Sequence, residues 1–214
     1  MMLCDIGNST FHFKIKKKDF KISVDKKIKY LPKIKGDIYF ISVNQNGTKK
    51  FLKRYPDAID LSKFLSLKTQ YVGMGIDRKL VCEYIKDGII VDFGSAITVD
   101  IMDDSVHKGG FISPGISSYK KIYPKISKKL RFDFKNDINL DKIPLKTNDA
   151  INYAIFNAII LPILKVYTKY EKRIYFTGED SNYILKYFDK IDIKYKKNLI
   201  FNSMKRIIKK EKIC

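Results

Sequence analysis

The sequence lacks the cysteine pattern of a disulfide-rich or zinc-binding protein. It contains three cysteines, Cys4, Cys82 and Cys214, an odd number without any Cys-x-x-Cys spacing. Disulfide frameworks use even numbers of cysteines, and structural zinc sites use closely spaced pairs. We therefore expect neither kind of stabilisation, and the three cysteines are predicted to be reduced thiols.

Long apolar runs are also missing. No stretch of about 18 apolar residues occurs, and the charged residue Asp5 follows the start without a basic leader and an apolar stretch. With 214 residues, of which 45% are hydrophobic, the chain can bury a substantial core. The expectation is a globular cytoplasmic protein without a membrane partner.

Arginine is scarce although the chain is strongly basic. The formal net charge is +20, and 38 of the 43 basic residues are lysines. Base recognition and bidentate phosphate contacts favour arginine, and the lysines are scattered without interleaved aromatic residues. This pattern favours a solvated basic surface that steers anionic substrates, and nucleic acid is not expected as a partner. A dedicated polyanion site is the alternative.

The usual nucleotide motifs are absent, since there is no GxxxxGK[ST] and no strand-associated GxGxxG. Instead, the same motif occurs twice, as DIGNS (5–9) and DFGSA (92–96). In each, an apolar strand leads into Asp-x-Gly, and a small hydroxyl residue follows. We expect the glycine to permit a sharp turn that offers backbone N–H groups and a hydroxyl to an anion. Two such loops can grip a polyphosphate, although ordinary turns use the same residues.

Hydrophobic spacing predicts alternating strands and helices. The strand-Asp-Gly pattern restarts near residue 89, which predicts two related α/β domains, 1–88 and 89–214. Thr147 is expected to cap the longest helix, and Pro162 to kink that helix or end it early. The predicted strands are 1–6, 11–16 and 20–24 in an antiparallel meander, 37–43, a hairpin over 88–102, and 173–178. The predicted helices are 46–55, 77–85, 147–170 and 181–188.

Between the two loops, the segment 71–85 carries a candidate base. Gly73 and Gly75 would let the backbone approach a ligand closely. Asp77 could accept a proton from a substrate hydroxyl, and the planar Arg78 suits a substrate carboxylate. The alternative makes Asp77 a helix cap and Arg78 its exposed neighbour.

A glycine-rich segment follows the second loop. Gly109, Gly110 and the Pro-Gly turn at 114–115 are predicted to introduce a helix. The N-terminus of that helix would suit an anionic group, and a simple tight turn is the alternative.

Taken together, five motifs in order resemble the type III pantothenate kinases, of the acetate and sugar kinase, heat-shock ATPase and actin superfamily. Ser95 stands where the family pattern has threonine, and Glu179 replaces one glycine of its TGG segment. The motifs here are DIGNS (5–9), GIDR (75–78), DFGSAIT (92–98), GGFISPG (109–115) and FTGED (176–180).

This resemblance implies duplicated actin-like (ribonuclease H-like) domains with mixed sheets and an inter-domain cleft. It implies ATP-dependent phosphorylation of the primary hydroxyl of pantothenate, the first step of coenzyme A synthesis. The implied cofactors are Mg²⁺ and a monovalent cation, K⁺ or NH₄⁺, and the implied assembly is a homodimer.

The resemblance also implies a role for each matching residue. Asp77 would be the catalytic base, Asp92 would hold the monovalent cation, and Thr147 would reach pantothenate from the partner subunit. Residues expected to contact ATP are Asp5, Ile6, Gly7, Asn8, Ser9, Thr10, Phe11, His12 and Ser95. Residues expected to contact pantothenate are Tyr71, Gly75, Ile76, Asp77, Arg78 and Thr147.

Two other functions remain open from the sequence. A kinase of the same fold for another small alcohol or carboxylate would keep both loops without needing GIDR and Thr147. A non-catalytic nucleotide- or DNA-binding regulator would keep the fold without needing Asp77, and the Asp77-Arg78 pair argues against it.

Overall fold

The computed structural model describes residues 1–213, and Cys214 lies outside the described residues. The chain forms two compact units, one of residues 1–85 with 198–213 and the other of residues 86–197. The first break lies close to the predicted boundary at 88/89, whereas the last residues group with the first unit. The domains 1–88 and 89–214 stay a prediction.

Strands and helices alternate along the described residues. The strands are β1 (Met2–Ile6), β2 (Thr10–Ile15), β3 (Lys18–Ser23), β4 (Ile38–Ser42), β5 (Ile59–Asp60), β6 (Lys68–Thr69), β7 (Gly88–Phe93), β8 (Ala96–Asp103), β9 (Val106–Pro114), β10 (Ile174–Thr177) and β11 (Ile193–Tyr195). The α-helices are α1 (Gln45–Arg54), α2 (Ile76–Ile85), α3 (Ile116–Ile126), α4 (Thr147–Tyr170) and α5 (Leu199–Lys210).

The first unit is built on a mixed sheet with strand order β3-β2-β1-β4-β5. The pairs β1/β2 and β2/β3 are antiparallel, as the meander prediction requires, and β4 lies parallel to β1 and β5. Side chains alternate between the faces of β1, with Cys4 and Ile6 in one core cluster and Leu3 in another. Helix α1 packs on one face through Phe51, and α2 and α5 pack on the other.

Of the described cysteines, Cys4 and Cys82 are buried and form no disulfide, as predicted for reduced thiols. Burial raises the pKa of the Cys4 thiol, and the charge of neighbouring Asp5 raises it further. Cys4 is therefore an inert core residue rather than a nucleophile.

The second unit repeats the plan of the first. Its strands follow the order β11-β10-β7-β8-β9, with β7/β8 and β8/β9 antiparallel and β10 parallel to β7 and β11. The predicted hairpin at 88–102 is confirmed as β7 and β8. In each unit an antiparallel meander begins with the strand that carries Asp-x-Gly, and the next strand along the sheet lies parallel to it.

Helix α4 supplies much of the core of the second unit. By length and composition alone it could cross a membrane, with a mean hydropathy of 1.5 over its most apolar stretch. Core helices meet the same criterion, and one side of α4 is buried in the core of this unit. The buried residues of that side are Ile151, Ile155, Phe156, Ile159, Ile160 and Ile163.

Some details of the predicted helices were wrong. Lys146, and not Thr147, is the N-cap of α4, and Thr147 is its first residue. Pro162 does not end the helix early, since α4 continues to Tyr170 and its buried face stabilises it. The predicted helix 181–188 forms two short 3₁₀ helices, Glu179–Tyr183 and Leu185–Phe188, instead. It lies after Gly178, whose φ of +90° directs the chain sharply away from β10.

Candidate functional site

The first Asp-x-Gly loop joins β1 to β2 by a tight turn. Asp5 lies one residue before the end of β1, and the N–H of Gly7 donates to the carbonyl of Thr10 at 3.0 Å. Asn8 and Ser9, at the tip, are exposed, and the Ser9 carbonyl accepts from the N–H of Val24 at 3.0 Å. The tip therefore presents backbone and short polar side chains to solvent.

The predicted ATP residues of this loop fall into two groups. Ile6 and Phe11 have fully buried side chains in the core, so their contribution to a ligand would come through the backbone. His12 lies opposite Asp5 in the β1/β2 register, and its ring centroid is 4.7 Å from that of Phe201 in α5. The structure brings the polar members, Asp5 and residues 7–10, to one end of the sheet.

Asn44 supports this loop and was missed by sequence reasoning. Its Nδ2 donates to the carbonyls of Asn8, at 3.2 Å, and of Gly7, at 3.4 Å. Its Oδ1 accepts from the N–H of Gly47 at 2.8 Å and so caps α1. Asn before a helix signals a cap, whereas a bond to a loop 36 residues earlier leaves no trace in the sequence.

Asp77 lies in the first turn of α2, two residues after Gly75, which leaves space beside its carboxylate. A Cβ on Gly75 would stand 2.5 Å from Asp77 Oδ1 and 3.5 Å from Cγ1 of Val43. Asp77 Oδ1 accepts the N–H of Arg78 at 2.8 Å. A side chain at position 75 would therefore displace the Asp77 carboxylate from its present position. Val43, also beside Gly75, belongs to the turn of the chain that carries Asn44.

Arg78 is buried, with 8% of its surface exposed, so the alternative of an exposed neighbour was wrong. Its guanidinium lies 4.8 Å from the centroid of the Tyr71 ring, within the range of a cation-π interaction. The backbone N–H of Tyr71 donates to Thr69 Oγ1 at 3.0 Å. Tyr71, Gly75, Ile76, Asp77 and Arg78 thus form one continuous segment at the start of α2.

In the second unit, the loop between β7 and β8 carries Asp92 and Ser95. The N–H of Gly94 donates to the Ala96 carbonyl at 3.1 Å, which closes the turn, and Ser95 is exposed at its tip. Asp92 pairs with Thr98 of β8 and with Thr177 of β10. Because directly paired residues share a sheet face, the Asp92 carboxylate is flanked by two threonine side chains.

Two glycines from distant segments hold the second loop by close backbone approach. A Cβ on Gly115 would stand 2.3 Å from the Gly94 carbonyl oxygen, and one on Gly178 would stand 2.3 Å from the Phe93 carbonyl oxygen. The Gly115 N–H and the Ser118 hydroxyl both donate to the Ser95 carbonyl at 3.1 Å. The segments GGFISPG and FTGED therefore meet at this loop, and helix α3 begins beside it.

Thr147 is the first residue of α4 and is exposed. Near it, Asp149 forms an ion pair with Lys135 at 2.5 Å, which lowers the pKa of that carboxyl. The role of Thr147 in a pantothenate site stays a prediction.

Solved structures identify the fold. A Campylobacter jejuni protein, described as a conserved Baf family transcriptional activator, is 42% identical and superimposes with a TM-score of 0.86 over 100% of both chains. The activator of 2-hydroxyisocaproyl-CoA dehydratase from Clostridium difficile, with bound ADPNP, reaches 0.52 at 10% identity, covering 100% of this chain and 97% of that one. The duplicated mixed-sheet units confirm the predicted actin-like, ribonuclease H-like fold.

Sequence relatives then identify the family. The model of the type III pantothenate kinases matches residues 44–169. The type III pantothenate kinase of Campylobacter jejuni (strain RM1221) is 44% identical over 98% of this chain and 97% of its own. That of Helicobacter hepaticus is 37% identical over 99% and 100%. The chain belongs to the type III pantothenate kinases, which confirms the predicted kinase activity, the phosphorylation of pantothenate in coenzyme A synthesis.

Proposed function

We propose that this kinase transfers the γ-phosphoryl group of ATP to the primary hydroxyl of pantothenate with Asp77 as the base. The observation that carries the assignment is the placement of Asp77 on the first turn of α2, with Gly75 leaving space beside its carboxylate. The surrounding Tyr71, Ile76 and Arg78 supply an aromatic, an apolar and a cationic group for the same substrate.

The chemistry asks little of the side chains beyond positioning. Phosphoryl transfer depends on alignment and on neutralising phosphate charge, and no covalent intermediate is required. An alcohol is far less acidic than an aspartic acid, so Asp77 orients the hydroxyl and takes its proton late in the transfer. Arg78, always protonated, attracts the carboxylate of pantothenate.

The two loops are proposed to hold ATP. Successive backbone N–H groups bind phosphate oxygens, and this assigns residues 5–12 and Ser95 to the nucleotide. Carboxylates and hydroxyls are the ligands that hard cations prefer, and the donor set of Asp92, Thr98 and Thr177 fits a monovalent cation such as K⁺ or NH₄⁺. Mg²⁺ bound with ATP would neutralise phosphate charge during the transfer.

The homodimer is proposed to complete the pantothenate site through Thr147. The exposure of Thr147 at the start of α4 supports a contact with a neighbouring subunit. In a two-fold dimer, Thr147 of each subunit would contact pantothenate bound to the other subunit.

Replacing Asp77 by Asn tests the base. We expect Asp77→Asn to abolish phosphorylation of pantothenate while leaving the thermal unfolding transition and the oligomeric state unchanged, because Asn keeps the shape but accepts no proton. The matched control is Asp60→Asn, since Asp60 caps a short 3₁₀ helix in the same unit, accepting from Ser62 at 2.9 Å. Near wild-type turnover by Asp77→Asn would overturn the assignment.

Subunit mixing tests the shared site. Asp77→Asn and Thr147→Ala subunits, each impaired alone, are unfolded together, refolded and assayed. If Thr147 acts from the partner, mixed dimers contain one site with both native residues, and activity returns. If activity does not return although mass spectrometry detects mixed dimers, Thr147 serves its own subunit or no site at all.

A second candidate function is DNA-binding regulation. It is favoured by the description of the similar Campylobacter jejuni structure as a transcriptional activator and by the net charge of +20. Filter binding of duplex DNA at several salt concentrations would test it, since neutralised phosphates produce a steep salt dependence. Binding that is sequence-specific would support regulation beside catalysis, and weak binding to any sequence would reflect charge alone.

A further inference from the structure

Asn44 supports the first loop from a different part of the chain, although no motif includes it. It follows β4 and precedes α1, and it joins three pieces of chain through one side chain. The assignment of its amide is unambiguous, because Oδ1 faces the Gly47 N–H at 2.8 Å while Nδ2 faces the carbonyls of Gly7 and Asn8. The reverse assignment would set donor against donor and acceptor against acceptor.

These bonds fix the direction of two peptide planes. In a planar trans peptide, the C=O of one residue and the N–H of the next point in opposite directions. Because the carbonyls of Gly7 and Asn8 point toward Asn44, the N–H groups of Asn8 and Ser9 point away from it. The side-chain amide therefore orients two successive N–H groups outward at the exposed tip of the loop, which is the arrangement that binds anions.

The turn that carries Asn44 is itself held in place by neighbouring bonds. The Val43 N–H donates to the Ile6 carbonyl at 3.0 Å, and the Ser42 hydroxyl bonds with Asn44 and Thr48, so the turn that carries Asn44 is itself fixed. A Cβ on Gly47 would stand 2.8 Å from Ile6 Cγ2, so a side chain at position 47 would press against the Ile6 side chain of β1.

We propose that Asn44 is a positioning residue for the nucleotide, holding the first loop so that the N–H groups of Asn8 and Ser9 face the ATP phosphates. The proposal rests on the proposed role of this loop in ATP binding. It assigns Asn44 no contact with pantothenate and no part in proton transfer.

Three substitutions separate loop positioning from helix capping. Asn44→Ser and Asn44→Asp keep an acceptor for the Gly47 N–H and cap helices about as well as Asn, but both lack Nδ2. Asn44→Ala loses both roles. We expect Ser, which loses both bonds donated by Nδ2, to raise KM for ATP by about fivefold or more, since about fivefold is the factor that one lost hydrogen bond represents. Asp should raise it further, because its second oxygen faces two carbonyls.

The accompanying readouts distinguish the outcomes. KM for pantothenate should stay close to wild type in Asn44→Ser. Asn44→Ala, which loses the helix cap as well as the two bonds from Nδ2, should have a lower melting temperature than Asn44→Ser. Asp60→Ala, which removes a cap elsewhere in the same unit, should leave KM for ATP unchanged. Wild-type KM for ATP in both Asn44→Ser and Asn44→Asp would overturn the proposal and leave Asn44 a helix cap only.

Failure of the proposed function gives a different result. If the wild-type protein forms no phosphorylated pantothenate, the proposed function fails, and ATP affinity is then measured directly by calorimetry. Weaker ATP binding by Asn44→Ser than by wild type would still support Asn44. Equal binding by both would overturn it.

Discussion

The two Asp-x-Gly loops occupy equivalent places in two units of the same plan, yet they are held in different ways. A side-chain amide from Asn44 supports the first loop, whereas the backbones of Gly115 and Gly178 press against the second. The strand order that the two units share fixes where each loop lies. It does not fix which residues support the loop. The first loop should therefore respond to changes in a side chain, and the second to any added Cβ.

The surroundings of the two aspartates differ as well. Asp5 pairs with His12 and Ile41, whereas Asp92 pairs with Thr98 and Thr177. The two neighbours of Asp92 both carry a hydroxyl group, whereas neither neighbour of Asp5 does. This difference explains why a cation site is proposed at Asp92 and not at Asp5.

The largest effect is expected from Gly178→Ala. The new methyl group would stand 2.3 Å from the Phe93 carbonyl oxygen, and the φ of +90° is strained for any residue with a Cβ. We expect a loss of about 3 kcal/mol in the free energy of unfolding, measured by urea denaturation, together with loss of kinase activity.

Gly94→Ala is the matched control, because its Cβ would lie 3.4 Å from the Ala96 carbonyl oxygen, an ordinary contact. Its free energy of unfolding should stay near that of wild type. Equal stability of Gly178→Ala and Gly94→Ala would contradict the claim that backbone approach supports the second loop.

An intermediate effect is expected from Asp92→Ala. Without the carboxylate, the threonine hydroxyls alone bind a monovalent cation weakly. Activity of the variant should depend less on K⁺ or NH₄⁺ relative to Na⁺ than activity of the wild type. Asp5→Ala is the comparison from the first unit, and the same cation dependence in Asp92→Ala as in wild type would move the cation site elsewhere.

The smallest effect is expected from Ser118→Ala. The variant loses the hydroxyl bond to the Ser95 carbonyl but keeps the Gly115 N–H bond to the same oxygen. We expect a loss of about 0.5–1 kcal/mol in stability and little change in KM for ATP. A KM effect as large as that of Asn44→Ser would show that both loops depend on side chains.

Much of the architecture could be predicted from the sequence because local patterns carry it. Apolar runs broken by tight polar turns indicated the meander and the hairpin at 88–102. One physical reason was wrong, however. Gly7 and Gly94 do not have positive φ, and a Cβ on them would lie 3.6 and 3.4 Å from its nearest contact. The positions that accept only glycine are instead those packed against a loop, such as Gly178.

The rest depends on contacts between distant segments. Helix α5 carries Phe201 into the core of the first unit, more than 180 residues after β1, and no local pattern reports such a partner. Asn44 is recognisable as a cap, but its bond to Asn8 depends on β4 lying parallel to β1. Arg78 is charged, and arginines are mostly exposed, so only the fold shows its burial beside Tyr71.

The most direct test of the account is ATP-dependent phosphorylation of pantothenate by the purified protein, in K⁺ or NH₄⁺ against Na⁺, with the product detected by mass. The account predicts 4'-phosphopantothenate in amounts that depend on both ATP and the cation, and none from Asp77→Asn. Absence of this product under every cation, from protein shown to be folded, would contradict it.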